Sequence, residues 1–272
     1  MTLNVWLERH PYLQSVANLQ LLVDATAAEV SIPRAGIPKW ECYVEEFRTG
    51  IALLQSSTVA IDLEPAEKSL VSLTERLATK PLPHDLTEQI QILDSELNCE
   101  QDAPRRAVSW LLSRGSFVIK YPGLLQYIGW TVLARYLDSV VTAFNNWRDE
   151  EQWLRNYCPT CAASPAMAQL AGVDAEKRLR KLLCGRCGTL WRYRRTGCPF
   201  CENDDDHRLA VVAIEGEGGL RIDYCHACGG YLKTYAGEGK EHVLLADWTS
   251  AHLDVLARDR GMKRLAASLY EL

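Results

Sequence analysis

Four Cys-x-x-Cys pairs lie within 71 residues of this 272-residue chain, between residues 158 and 228, and hold eight of its ten cysteines. Each pair can form a tight turn that aims two sulfurs at one point, and two such turns supply the four ligands of a tetrahedral thiolate site. We therefore predict two bound metal ions per chain. The predicted ligands are Cys158, Cys161, Cys184 and Cys187 for one ion, and Cys198, Cys201, Cys225 and Cys228 for the other.

The cysteine pairs form a tandem repeat. CPTC is followed after 22 residues by CGRC, and CPFC is followed after 23 residues by CHAC. The first cysteines of the two units are 40 residues apart, and the third cysteines are 41 apart. This regularity favours sequential pairing, in which the first pair joins the second and the third joins the fourth. An interleaved cross-brace, which joins the first pair to the third and the second to the fourth, is the alternative. Gly188 and Gly229 follow the second turn of each unit, where a positive φ is expected.

Composition and terminal sequence point to a cytoplasmic protein. The start lacks the basic leader and apolar stretch of a secretory signal. The apolar region from 117 to 137 is interrupted by Lys120, Pro122 and Arg135, so we expect no membrane insertion. In a reducing compartment, repeated CxxC pairs favour metal over disulfides. The formal charge of −5 offers no general attraction to nucleic acid, so that partner is expected to be absent.

Residues 1–156 are predicted to form a helical domain. Pro65 suits the first turn of a helix that carries leucines on one face. Asp85 and Glu88 have the spacing of a capping box at the start of a second helix. Apolar residues recur every three or four positions from Gly123 to Trp147, which predicts the longest helix. Cys42 and Cys99 lie in this part of the chain and are expected to be small buried hydrophobic residues.

After Cys158 the pattern changes to short β-prone runs separated by Gly- and Asp-rich turns, which predicts small hairpins. Asp247 is predicted to cap a final helix that ends near Gly261. The predicted class is α+β, with two tandem β modules between helical parts. The predicted domains are the helical domain 1–156, the first four-cysteine module 157–196, the second four-cysteine module 197–246 and the C-terminal helix 247–272.

The chemistry of two closed thiolate sites is structural or redox. Four protein ligands leave no position for an activated water, so neither site should be hydrolytic. Zinc would make a rigid scaffold, whereas iron would give a rubredoxin-like centre that cycles between ferric and ferrous states. The sequence shows no phosphate-binding loop and no nucleophile elbow, so we do not expect an enzyme. His207, His242 and His252 lack metal-binding spacing and are expected to have surface or packing roles.

A run of basic residues surrounds the second cysteine pair. It could offset the −2 charge of a tetrathiolate site or form a solvated face. A zinc-ribbon nucleic-acid binder is a further alternative, and the acidic total charge places it last. The run consists of Lys177, Arg178, Arg180, Lys181, Arg186, Arg192, Arg194 and Arg195.

Four segments resemble the FdhE family of formate dehydrogenase accessory proteins: CPTCAASPAMAQL, RLRKLLCGRCGTLWRYRRTGCPFC, YCHACGGYLKTY and ADWTSAHLDVLARDRG. They span roughly Cys158 to Gly261, and they include Trp191, Arg195 and the YLKT motif that begins at Tyr231.

The resemblance implies a cytoplasmic factor, not itself an enzyme, that is required for maturation of formate dehydrogenase. The implied partner is the catalytic subunit of the molybdenum-dependent enzyme, and a homodimer stays open. The resemblance also implies rubredoxin-like folds beside a helical domain, with iron or zinc held by the eight cysteines named above. The alternative function is electron transfer, in which a rubredoxin-like protein acts on the same catalytic subunit.

Overall fold

The structure is a computed structural model, and it describes residues 2–174, 178–239, 241–266 and 268–270. The chain divides into two compact units. We call them the cysteine unit and the helical unit. The cysteine unit contains Met1–Ala17 and Asp149–Ser268, and the helical unit contains Asn18–Arg148 and Leu269–Leu272.

The elements are numbered in chain order. The α-helices are α1 (Leu3–Arg9), α2 (Gln14–Val30), α3 (Val44–Thr49), α4 (Glu64–Ala78), α5 (His84–Asn98), α6 (Ala103–Leu111), α7 (Pro122–Tyr136), α8 (Asp138–Trp147) and α9 (Ala251–Asp259). The strands are β1 (Met167–Ala171), β2 (Leu179–Leu183), β3 (Leu190–Arg192), β4 (Leu209–Ala213), β5 (Leu220–Cys225), β6 (Gly230–Gly237) and β7 (Lys263–Arg264).

The helical unit is built around α4 and α7. Pro65 lies in the first turn of α4, as predicted, where its missing N–H leaves no unmet hydrogen bond. Leu70, Leu73 and Leu77 of α4 are at most 1% exposed, so the apolar stripe of this helix is fully buried. α4 packs against α5, α6 and α7. The helical character of this part of the chain is confirmed.

Three local predictions in the helical unit are wrong. The helix predicted from Gly123 to Trp147 is two helices, α7 and α8, which meet at Leu137. Asp85 lies inside the first turn of α5 and is not its capping residue, because Pro83 precedes the helix and makes no side-chain cap. Cys42 and Cys99 are exposed, so they are not core residues.

The strands form one sheet in the described part of the cysteine unit. Their order is β3-β2-β1-β6-β5-β4, and β7 pairs with β6. β1, β2 and β3 form one antiparallel group, and β4, β5 and β6 form another. The two groups join through β1 and β6, which run parallel, with Met167 opposite Lys233. The two cysteine repeats therefore share a continuous sheet, a link that the expectation of tandem modules did not include.

Asp247 has a different role from the predicted one. A 3₁₀ turn from Trp248 to Ser250 precedes α9, and Asp247 makes no side-chain cap. Its carboxylate instead lies 2.6 Å from Nζ of Lys233 on β6 and 2.8 Å from Nη2 of Arg264 on β7. Lys233 is 1% exposed and also contacts Asp254 of α9 at 2.8 Å. A buried ion network therefore joins the sheet to α9.

The α+β class is confirmed. Among the residues that the structure describes, none of the helices combines the length and apolar character that crossing a membrane would require.

Candidate metal centres

Each Cys-x-x-Cys pair forms the same backbone turn. In the first turn, the N–H of Ala162 donates to the carbonyl of Cys158 at 2.9 Å. The other three turns have the same bond. In each, the N–H of the residue after the second cysteine donates to the carbonyl of the first cysteine at 2.8 to 3.2 Å, and the donors are Gly188, Glu202 and Gly229. Backbone N–H groups also point at sulfur, as from Arg186 to Sγ of Cys184 at 3.4 Å. Such bonds orient a sulfur and stabilise its negative charge.

A residue with positive φ follows every one of the four pairs. Gly188 and Gly229 have φ values of 71° and 72°, as the sequence predicted. Ala162 and Glu202 occupy the same position after the first and third pairs, with φ values of 62° and 58°. Sequence reasoning missed these two because neither is glycine. The alignment of the four pairs was the signal that could have found them.

The first group of four sulfurs converges as predicted. Cys158 Sγ lies 3.5 Å from Cys187 Sγ, and Cys161 Sγ lies 3.4 Å from Cys184 Sγ. All four ligand atoms lie within 4.8 Å of one another. Tetrahedral ligation at about 2.3 Å requires sulfurs about 3.8 Å apart, so a small expansion admits one ion. This grouping is the sequential pairing and not the cross-brace.

The first group is buried, and its electrostatics favour a cation. None of its four cysteines is more than 6% exposed. Burial raises the pKa of the Cys158 thiol well above its ordinary value. Hydrogen bonding to Cys158 and to the other cysteines raises the pKa of Cys161. A divalent ion reduces both penalties because it replaces the protons and offsets part of the thiolate charge.

The second group has the same arrangement with longer separations. Cys198 and Cys228 are 3.7 Å apart at their sulfurs, as are Cys201 and Cys225. These distances match a tetrahedral thiolate site at about 2.3 Å closely. Burial raises the pKa of Cys198 to about 12. The four donors are all soft sulfurs, which fit zinc or iron rather than magnesium or calcium.

The two groups differ in exposure. Cys201 is exposed and Cys228 is half-buried, whereas all four cysteines of the first group are buried. The slight burial of Cys201 opposes ionisation of its thiol. The backbone N–H of Asn203 and the neighbouring sulfurs outweigh this effect and lower the pKa of Cys201. Exposed low-pKa sulfur is the more reactive kind. The second site is therefore the one open to exchange with solvent.

We predict that the second site loses its metal first. With a colorimetric chelator in excess, metal release from the two cysteine groups should occur in two phases. The faster phase should come from the second group, where Cys201 is exposed and Cys228 is half-buried. In Cys201→Ser the fast phase should be absent, while the slow phase should remain. Release in a single phase, or a fast phase that survives in Cys201→Ser, would show that exposure does not control the order.

Side chains around the first group hold its two turns together. Thr160 and Thr189 are each fully buried, and their hydroxyls are 2.8 Å apart, which links the first turn to the second. The Thr189 hydroxyl also lies 3.2 Å from Sγ of Cys187. Trp191 is fully buried and donates its indole N–H to the carbonyl of Arg155 at 2.9 Å. Trp191 therefore packs inside the cysteine unit.

The basic run contributes to internal contacts. Arg180 is 5% exposed and lies 3.8 Å from the carboxylate of Asp223. Lys181 pairs with Glu150 at 3.0 Å. Lys177 lies outside the described residues. At these positions the basic charge is used within the cysteine unit, which accords with a structural role for the run.

The comparisons with known proteins agree on one family. No protein-family model matches the chain. A protein from Aquifex aeolicus named "Protein FdhE homolog" is 30% identical over 115 residues, covering 42% of this chain and 41% of its own. One of the same name from Pseudomonas aeruginosa is 27% identical over 189 residues, covering 64% and 58%. The chain thus spans about half the length of the curated relatives it matches.

A solved structure shares the whole fold. The crystal structure of the FdhE protein from Pseudomonas aeruginosa matches with a TM-score of 0.62 and 21% identity, and the match covers 95% of this chain and 88% of that one. A helical unit and a second unit whose sheet carries two cysteine tetrads define the chain as an α+β protein with two positions suited to metal ions. The chain is similar to proteins named FdhE over part of its sequence, and it shares their fold.

Proposed function

We propose that this protein is an accessory factor for formate dehydrogenase, and that it binds the molybdenum-dependent catalytic subunit during maturation or activation of the enzyme. The likeness to proteins named FdhE homolog supports a role in this process. The observation that carries the binding role is the pair of cysteine groups set into one continuous sheet, a rigid scaffold on which a client surface can be built. We expect this to take place in the cytoplasm.

The proposed ligands are the eight cysteines, one group of four for each ion. Zinc or iron fits both groups, because four thiolate sulfurs at tetrahedral separation suit either ion. Each ion supplies rigidity when bound, and iron would also supply a redox couple. Four sulfurs fill the coordination sphere, so we propose a binding protein and not an enzyme.

The sheet explains why both sites should matter for one surface. β1 lies between the two turns that hold the first group, and β6 starts directly after the last turn of the second group. These two strands pair in parallel from Met167 opposite Lys233 to Ala171 opposite Gly237. Losing either ion should therefore disturb strands that belong to both repeats.

Capture of the catalytic subunit tests the proposal. Immobilised full-length protein should retain the subunit, and a variant with Cys184→Ser and Cys225→Ser should lose most of that binding, at least tenfold. Cys42→Ser together with Cys99→Ser is the matched control, since both of these cysteines are exposed and lie outside the two groups. Undiminished capture after both groups have been destroyed would remove the metal-stabilised scaffold from the account.

The exposure of Cys201 favours a second candidate function, electron transfer to the same client. A thiolate at the surface shortens the path to a partner's redox centre, and the first group has no such exposed sulfur. Protein purified without oxygen should then show ferric-thiolate absorbance that dithionite bleaches reversibly. A colourless zinc protein would eliminate this function and leave the binding role intact.

A further inference from the structure

Two histidines and a glutamate converge in the cysteine unit, apart from the cysteine groups. His10 follows α1, Glu217 lies in the turn between β4 and β5, and His252 lies in the first turn of α9. His10 Nε2 is 2.7 Å from Glu217 Oε1, and His252 Nε2 is 3.0 Å from the same oxygen. One candidate ligand atom from each residue lies within 4.8 Å of the others. Two imidazole nitrogens thus face one carboxylate oxygen.

The hydrogen bonds of His10 leave a position for a cation. Its Nδ1 is 2.9 Å from the carbonyl oxygen of Trp6, which can only accept, so Nδ1 carries a proton. In the neutral ring Nε2 is then an acceptor, and it faces an acceptor oxygen of Glu217 at 2.7 Å. Two acceptors at this separation need a proton or a metal ion between them. A backbone carbonyl on the far nitrogen is also the usual support of a metal-binding histidine.

The other two residues have unused donor atoms. Within the described residues, neither ring nitrogen of His252 makes a hydrogen bond, although Nε2 is in contact with Glu217. Glu217 Oε2 is buried and has no hydrogen-bond partner there either. Buried polar atoms without a partner destabilise the folded state. A metal ion held between the three side chains would give one nitrogen of His252 and the carboxylate of Glu217 a partner.

The surroundings hold the three side chains in place. The Trp6 ring stacks on His10 with centroids 3.7 Å apart. Arg9 donates to the carbonyl of Gly216 at 3.0 Å, which fixes the turn that carries Glu217. The side chains of His10, Glu217 and His252 are 5%, 9% and 10% exposed. Tyr12 is 59% exposed and meets both imidazole rings edge-on, so the cluster lies one side chain below the surface.

We propose that His10, Glu217 and His252 form a third metal site, which binds one divalent transition-metal ion of the zinc class. Two imidazoles and a carboxylate suit zinc, whereas magnesium and calcium prefer oxygen ligands. Zinc binds imidazole nitrogen at about 2.0 to 2.1 Å, so tetrahedral ligands lie about 3.3 Å apart and the cluster has to open by a few tenths of an ångström. Three protein ligands leave a fourth position for water or another small ligand.

Metal stoichiometry tests this site. The full-length chain is saturated with zinc, passed into metal-free buffer and assayed for zinc and protein. We expect three ions per chain, two for the cysteine groups and one for this cluster. Glu217→Gln and His252→Gln should each hold two. Glu215→Gln and His207→Gln are matched controls, because both residues are exposed in the same unit, and they should hold three. Two ions in the unchanged chain, or three in Glu217→Gln, would overturn the proposal.

A spectroscopic measurement on the unchanged chain covers the case in which a variant fails to fold. Metal-free chain is first given two equivalents of zinc, which fill the two groups of four sulfurs, and cobalt is then added. Cobalt bound by nitrogen and oxygen should give weak visible bands without the intense near-ultraviolet bands of sulfur ligation. Their absence, or sulfur bands alone, would contradict a histidine and glutamate site. The result does not depend on any client, so it is independent of the proposed function.

Discussion

Changing Cys184 to serine is expected to unfold the cysteine unit. Cys184 is 2% exposed and belongs to the buried group of four sulfurs. A structural zinc site contributes about 10 to 16 kcal/mol of apparent folding free energy. The whole stability of a typical domain is about 5 to 15 kcal/mol, so loss of this site exceeds what the remaining contacts can offset. Far-ultraviolet circular dichroism during heating should show no cooperative transition for this unit.

The matched control is Cys42→Ser. Cys42 is exposed and lies in the helical unit, so its replacement should change the unfolding free energy by less than about 0.5 kcal/mol. Elemental analysis of the same samples should show loss of metal in Cys184→Ser only. A Cys184→Ser protein that keeps both the transition and the metal would show that this sulfur is not a ligand.

Changing Asp247 to asparagine is expected to destabilise the cysteine unit by about 3 to 5 kcal/mol, the usual cost of breaking a buried ion pair from one side. The substitution keeps the shape of the side chain but leaves Lys233, which is 1% exposed, with less compensation for its charge. Denaturant unfolding measures the loss. Asp204→Asn, at an exposed position of the same unit, should be neutral. A change below about 1 kcal/mol would mean that solvent or other groups compensate Lys233.

The pH dependence of this effect follows from the pKa of Asp247. Burial acts to raise that pKa, but the charges of Lys233 and Arg264 outweigh burial and hold it at about 2. The carboxylate therefore stabilises the fold fully above the ordinary carboxyl pKa of about 4, and the contribution is lost as the pH falls toward 2. Between about pH 6 and 8, the difference in unfolding free energy between the unchanged protein and Asp247→Asn should be constant. A difference that varies across that range would place the cause in another group.

Local patterns predicted the parts of the fold that local physics decides. The buried leucines of α4 follow a helical period behind Pro65, and both signals lie within one segment of sequence. Strands β4, β5 and β6 lie in the part of the chain after Cys158 where short β-prone runs were predicted. Tight Cys-x-x-Cys turns converge wherever a hairpin returns the chain, so the two cysteine groups were also predictable.

Contacts between distant segments were not predictable from one sequence. The parallel pairing of β1 with β6 joins residues 66 positions apart, such as Met167 and Lys233, and no turn signal specifies it. His10 and His252 are far apart in the chain, so no spacing rule could reveal their approach. Asp247 looked like a helix cap because the sequence does not show the buried Lys233 that it meets. The separate module boundaries 157–196 and 197–246 stay predictions, since strands of both modules share one sheet.

The central claim is that eight sulfurs hold two ions that stabilise the cysteine unit. Elemental analysis combined with native mass spectrometry tests it on Glu217→Gln protein purified without oxygen, because that substitution removes the third site from the count. The account predicts two zinc or iron ions per chain, and unfolding of the cysteine unit when a strong chelator removes them. A chain that carries no transition metal and keeps its cooperative unfolding transition in the chelator would contradict it.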